Sequence, residues 1–287
     1  MFWSGNNVVA KAVIGDVPPF SFTFLRWMLA SVILLPFTWS YVKHDWRKAR
    51  LAWIRLSLIA LFGISAFNTL LYMAVETTSA VNVGLISSIF PVCIALFSWL
   101  ILHVRLNRIQ MAGMLLSFTG IILVILRGDF STITALEFVE GDLWMVAGIL
   151  CGSIYPVLLH DKPDIHPLSL LMIIILLGML MSLPLYLLDL LQGRFVHVNG
   201  AVVSGLLYIA IFPSILAYML WNRGIELVGA NRAGLYLNLI PVLTAIMASF
   251  FLDETLSWYH FEGLLLVICG MLLFNLKQLF SHLTQSG

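Results

Sequence analysis

Apolar residues run along this chain in long blocks, and charged residues fall almost only between them. Ten blocks stand out, near residues 1–15, 20–42, 51–75, 79–101, 108–126, 142–160, 166–189, 199–222, 231–252 and 258–276, each bounded by charges, proline or glycine. An apolar run of about 20 residues is the length of a membrane-crossing helix. Strands of a membrane barrel alternate over about 10 residues. These blocks are longer and apolar on every side, so each is predicted to be a helix with its backbone bonds satisfied internally. Only short connections remain between them, which leaves no room for a sizeable soluble domain.

Composition sharpens this. Of 287 residues, 61% are hydrophobic and 10% charged, whereas a soluble domain carries about 25% charged residues. A soluble globular or disordered chain is excluded. A net charge of +1 with 15 Lys and Arg leaves no basic footprint for nucleic acid. Cys93, Cys151 and Cys269 are isolated in apolar runs and read as small packing residues, not as a disulfide framework or metal site. No nucleophile–base pairing and no paired carboxylates appear, so no catalytic residue, metal or cofactor is expected.

The loops sort the cations by side. Lys43, Arg47, Lys48, Arg50, Arg55, Arg105, Arg108, Lys162, Arg223, Arg232 and Lys277 fall on one side of the ten-helix scheme, and Arg127 and Arg194 on the other. The reading places both termini in the cytoplasm. Asp129, Glu137, Glu140 and Asp142 then fall outside. Lys11 and Arg26 are left within the first and second blocks, toward their outer ends.

The chain also repeats. At an offset of 150, Glu76 meets Glu226, Ala80 meets Ala230, Gly84 meets Gly234, Pro91 meets Pro241, Gly113 meets Gly263 and Gly120 meets Gly270. At an offset of 148, Pro19 meets Pro167 and Pro36 meets Pro184. The predicted fold is therefore an all-α membrane protein of ten helices in two five-helix repeats, residues 1–127 and 141–279. An odd helix count inverts the second repeat in the membrane, the pattern of secondary transporters with a site near the midplane. The repeat also places the start of the first helix about five residues before Met1, so either that helix is short or, the reading preferred, an upstream in-frame start codes for more apolar residues.

Polar residues inside the blocks are expensive in lipid and face the bundle interior. Asn68 and Tyr72 share one face with Ser65, and Tyr218 and Asn222 share another with Ser214. With Trp3, Asn6, Asn7, Ser88, Tyr155 and Asn238 they are candidates to line a solute cavity; the alternative is interhelical hydrogen bonding. Pro91 and Pro241 are candidate hinges, since each frees a backbone carbonyl. Lys11 and Arg26 read either as snorkelling side chains or as cations that recognise a carboxylate or phosphate in the outward mouth. Asp189, Asp253, Glu254 and Glu262 lie near block ends and no carboxylate lies clearly mid-membrane, so proton coupling stays open but has no support in the sequence. Gly113, Ser117, Gly120, Gly263 and Gly270 form small-residue stripes that predict tight helix packing, with a dimer face as the alternative.

The order of these features resembles a known family. Trp3 through Asn7, Pro18-Pro19, Leu25-Arg26 with Ala30, Ser79-Ala80, Gly84, Pro91, Gly113 and Gly120 occur in the first half. Ala230, Pro241, Glu254, Gly263 and Gly270 answer them in the second. Across nearly the whole chain this resembles the ten-helix, EamA-like branch of the drug/metabolite transporter superfamily. Two departures stand out: Trp3-Ser4-Gly5 replaces the usual Trp-Gly-Ser/Asn, and Val104, after His103, stands where a Glu usually follows the fourth helix. The resemblance implies a carrier in a bacterial inner membrane; a monomer is expected, with a homodimer as the alternative. The carrier would move small metabolites, above all amino acids, by alternating access. Nucleotide-sugar or drug transport is the second expectation, and a lipid-translocating or scaffold role the third. The expected partners are a small-molecule substrate and the lipid bilayer.

Overall fold

In lipid no water satisfies a backbone amide, so apolar runs of this length are held as helices. The structure, a computed structural model, describes all residues except 14, 79–82, 84–85, 127, 130–138, 241, 244–257 and 286–287. Within helices, the side chains of residues 7, 8, 11, 12, 125 and 277–285 are not described either. Among the described residues there are helices and no strands. In chain order they are α1 (Phe2–Val13), α2 (Pro19–Leu51), α3 (Trp53–Thr77), α4 (Phe90–Leu102), α5 (Arg108–Ile125), α6 (Glu140–Asp161), α7 (Pro167–Leu191), α8 (Gly200–Val228), α9 (Ala230–Leu235) and α10 (Trp258–Gln285). Six of them, α2, α3, α6, α7, α8 and α10, are long and apolar enough to cross a membrane, and α4 and α5 are shorter apolar helices.

Local chemistry sets the ends. Proline at the first helical position, where the missing N–H is harmless, opens α2 at Pro19 and α7 at Pro167. Asn107 caps α5 by accepting from Gln110 N at 2.9 Å, while its own N–H donates to Gln110 Oε1 at 3.0 Å. Asn199 caps α8 through Val202 N at 2.9 Å. Gly193 follows α7 at φ 74° and Gly229 follows α8 at φ 83°, left-handed conformations that glycine tolerates. The predicted second span ends near residue 42, yet α2 runs on to Leu51. Its 33 residues outrun a hydrocarbon layer of about 30 Å at about 1.5 Å rise each. The excess is anchored on α7: Asp45 is buried and accepts from His166 N at 2.8 Å, and Tyr41 stacks on the His166 ring at 4.0 Å.

Two antiparallel contacts organise the bundle. α5 and α10 cross through their glycines: a Cβ on Gly113 would lie 2.6 Å from Gly270 O, and a Cβ on Gly120 would lie 2.7 Å from Gly263 O. Ser117 Oγ donates to Val267 O at 3.0 Å between these two crossings. The offset of 150 exchanges Gly113 with Gly263 and Gly120 with Gly270, so the contact maps onto itself when the helices are swapped. α2 and α7 pair in the same sense. Ser21 meets Asp189, Phe24 stacks on Tyr186 at 4.6 Å, and Ser31 Oγ lies 3.8 Å from Met179 Sδ. Ser31 and Met179 are themselves one 148 offset apart. The small-residue stripes of α5 and α10 thus pack within one chain, as the tight-packing reading expects.

The halves are also laced together. α6 packs along α3, where Gly63 admits the Tyr155 ring and Gly152 admits the rings of Phe67 and Phe90. α1 packs on α8, where Gly5 admits the hydroxyl end of Tyr208 and Gly205 faces Val9 and Val13. Each half's opening helix therefore rests on the third long helix of the other.

Candidate functional site

Near their middles, α3 and α8 each widen into a π turn, at Leu61–Ala66 and Ala210–Leu216. The turns match at the 150 offset, with Gly63 opposite Pro213. A π turn inserts one residue and leaves backbone groups to be satisfied from outside the ladder. Those groups build the site.

In α8, Pro213 has no N–H for the carbonyl one turn earlier, Ile209 O. Ser214 Oγ donates to Ile209 O instead, at 2.7 Å. The same hydroxyl is then held to accept from Arg26 Nε, at 2.6 Å. In α3, Asn68 Nδ2 donates to Ile64 O at 2.9 Å and, more weakly, to Gly63 O at 3.4 Å. This turns Asn68 Oδ1 toward Arg26, which donates to it from Nη1 at 3.0 Å. Arg26 Nη1 also donates to Tyr72 OH at 2.8 Å and reaches Asn6 Oδ1 at 3.5 Å. The guanidinium lies 4.7 Å from the Trp27 ring centroid, within cation–π range. Arg26 is 2% exposed.

Two π-turn carbonyls are met by aromatic donors. Tyr218 OH donates to Gly63 O at 2.6 Å, and Trp3 Nε1 donates to Pro213 O at 3.2 Å. Tyr218 sits edge-on to Trp27 at 5.2 Å and to Trp3 at 6.0 Å, and packs on Tyr155 at 5.8 Å. Tyr155 OH donates to Asn222 Oδ1, and Trp221 closes on Trp3 at 5.3 Å. The result is one buried guanidinium ringed by neutral oxygens, with an aromatic wall beside it.

The structure thus brings together Trp3, Asn6, Arg26, Asn68, Tyr72, Tyr155, Tyr218 and Asn222. Arg26 is not at a mouth. The start of α2 is itself covered, with Val17, Ser21, Phe22 and Thr23 all buried, so two turns further in Arg26 is already deep. Ser88 and Asn238 are buried, Asn238 in a short 3-10 turn after α9 with no partner for its Oδ1 among the described residues. Pro91 opens α4. Pro241 lies outside the described residues, as do the side chains of Asn7 and Lys11.

Sequence reasoning missed a second polar site. At the end of α7, Asp189 is fully buried and its Oδ2 accepts from Ser21 N at 2.8 Å and Ser21 Oγ at 3.0 Å. Its Oδ1 lies 3.6 Å from Arg194 Nη1, and Arg194 Nη2 donates to Glu76 Oε1, on α3, at 2.8 Å. His197 N donates to Asp16 O at 2.9 Å, and Asn199 Nδ2 to Asp16 Oδ2 at 2.9 Å. The α7–α8 connection therefore ties α2, α3 and the α1–α2 turn together beside a cleft of about 240 Å³. Asp189→Ala is expected to destabilise the fold by about 2 kcal/mol, because it strands two buried Ser21 donors. Asp189→Asn, which keeps one acceptor for them, is expected to recover part of that. Thermal unfolding in detergent reads both.

Long apolar helices around a buried polar centre make this a helical multi-pass membrane protein. The chain belongs to the EamA-like transporter family, whose model matches residues 1–126 and again 139–276. It is 32% identical over 271 residues to Uncharacterized transporter YyaM of Bacillus subtilis (strain 168), covering 92% of this chain and 87% of that one. An uncharacterized transporter of Archaeoglobus fulgidus is 28% identical over 286 residues, 97% of this chain and 95% of its own. A crystal structure of a protein 19% identical in sequence superposes with a TM-score of 0.76, over 96% of this chain and 93% of its own. That last likeness is one of fold.

Proposed function

We propose that the chain is a secondary carrier of small organic metabolites, amino acids or related compounds first among them. In this reading ten helices cross a bacterial inner membrane as two inverted repeats, residues 1–127 and 141–279, with both termini cytoplasmic. The antiparallel contacts of α5 with α10 and of α2 with α7 support the inversion, since each maps onto itself under the repeat offset. The observation that carries the reading is the Arg26 cluster. It draws Asn6, Arg26, Asn68 and Tyr72 from the first half and Ser214 from the second, at the level of the two π turns. Alternating access requires a site that both halves build. By the charge reading, the Asp189–Arg194–Glu76 bridge closes the outer end.

The test is flux in proteoliposomes against a panel of amino acids, nucleotide sugars and hydrophobic drugs. Asn68→Ala removes an oxygen on Arg26 and is expected to cut flux of the transported solute at least about tenfold, the worth of a hydrogen bond to a charged group. Tyr218→Ala is expected to act alike, with membrane abundance of both variants near wild type. Abundance falling in step with flux would reduce these residues to holding helices together. No flux for any solute in the panel would count against the carrier itself.

A further inference from the structure

The hydrogen bonding of Arg26 is unbalanced. Nη1 carries two hydrogens but faces three oxygens, those of Tyr72, Asn68 and Asn6 at 2.8, 3.0 and 3.5 Å. Nη2 donates to none of the described residues, and no Asp or Glu among them pairs with the guanidinium. All four acceptors around it are neutral. A buried cation met only by dipoles keeps much of its desolvation penalty. Nη1 is over-subscribed, its longest contact is the one to Asn6, and Nη2 is unused among the described residues.

We propose that Arg26 binds the carboxylate of the solute across its Nη1–Nη2 edge, displacing Asn6, and that one negative charge is what the protein requires of its cargo. The proposal rests on the carrier reading. A carboxylate matches the guanidinium fork in plane and spacing, and one such group neutralises one cation. A phosphate near two negative charges finds a single cation among the described residues of this ring. The rest of the solute meets Trp27, Tyr218, Trp3 and Tyr155, so an apolar body on the carboxylate is favoured.

The test is a series of like shape and different charge, isocaproate, isocaproamide and isoamylamine, with inorganic phosphate as the competing anion. Each is added to the purified full chain in detergent, and the thermal midpoint is followed. Isocaproate is expected to raise it, and the amide, the amine and phosphate to leave it in place. Arg26→Gln is expected to erase the response to the acid. Arg26→Lys keeps the charge without the fork and is expected to keep the preference for acid over amide with affinity about tenfold weaker. Equal stabilisation by amide or amine, a response to phosphate alone, or an acid response that survives Arg26→Gln overturns the proposal. If no probe shifts the midpoint, the solute found in the flux panel decides: one without a carboxylate overturns it, one with a carboxylate whose half-saturating concentration rises in Arg26→Gln with the maximal rate largely kept upholds it, and one whose half-saturating concentration is unchanged overturns it. Arg26-dependent binding of isocaproate without any flux would leave this site standing and remove the carrier reading instead.

Discussion

Gly270→Leu is expected to leave little folded protein in the membrane, read as the monodisperse fraction after detergent extraction. A Cβ at residue 270 falls 2.5 Å from Gly113 O, 2.5 Å from Ser117 N and 2.6 Å from Ser117 Oγ. Two of those three atoms are backbone, so no side chain can turn aside. The helices must part, and parting stretches the Ser117 Oγ to Val267 O bond at the centre of the crossing. Overpacking costs about 1–3 kcal/mol when neighbours can relax, and this site is at or beyond the top of that range. Lipid supplies no compensating hydrophobic drive, since apolar tails are as good a neighbour as leucine. Gly113→Leu is expected to behave the same way, because its Cβ would lie 2.6 Å from Gly270 O and 2.6 Å from Phe274 N. Gly224 supplies the control. Nothing among the described residues lies within 4 Å of its Cβ position, on the helix α8, so Gly224→Ala is expected to be neutral or stabilising by up to about 1 kcal/mol.

These glycines were legible because small residues at one offset in apolar sequence have few uses other than close packing. The polar candidates were legible for a related reason. Lipid penalises Asn68, Tyr72, Tyr218 and Asn222 anywhere except the interior, so their presence in apolar blocks already gave their direction. Their partners were not legible. Tyr72 and Asn68 serve Arg26, whereas Tyr218 serves the carbonyl of Gly63 and Asn222 serves Tyr155. Hydrophobic periodicity carries no trace of a single inserted residue, so both π turns were invisible to it. The one signal was Gly63 standing opposite Pro213, two weak helix formers at the repeat offset. The burial of Arg26 and of Asp189 was not legible, because position along an apolar run says nothing of what packs over it; Asp189 does lie at the end of α7, as read, but there the α7–α8 connection bonds to Asp16 through His197 N.

Replacing Arg26 by Gln is expected to lower solute flux by at least a hundredfold while the chain still reaches the membrane. Truncating one partner of a buried, hydrogen-bonded charge pair costs about 2–5 kcal/mol, and each 1.4 kcal/mol is a factor of ten. The loss is not confined to the solute's own contact. Arg26 gathers α1 through Asn6, α3 through Asn68 and Tyr72, and α8 through Ser214. Three of these four oxygens are secured without it: Asn68 and Ser214 by π-turn carbonyls, and Tyr72 by its edge-on packing against Phe22 at 4.5 Å. The cluster should therefore survive glutamine in outline, since a neutral amide can still donate to one of them, which is why abundance and flux are expected to separate. A neutral side chain removes the charge that the ring of dipoles offsets only in part, and with it the reason for an anion to leave water. Flux measured at rising solute concentration distinguishes the causes. A lost binding charge raises the half-saturating concentration with the maximal rate largely kept. A lost structural knot lowers the maximal rate at every concentration, and that outcome would reduce Arg26 to a strut between the halves.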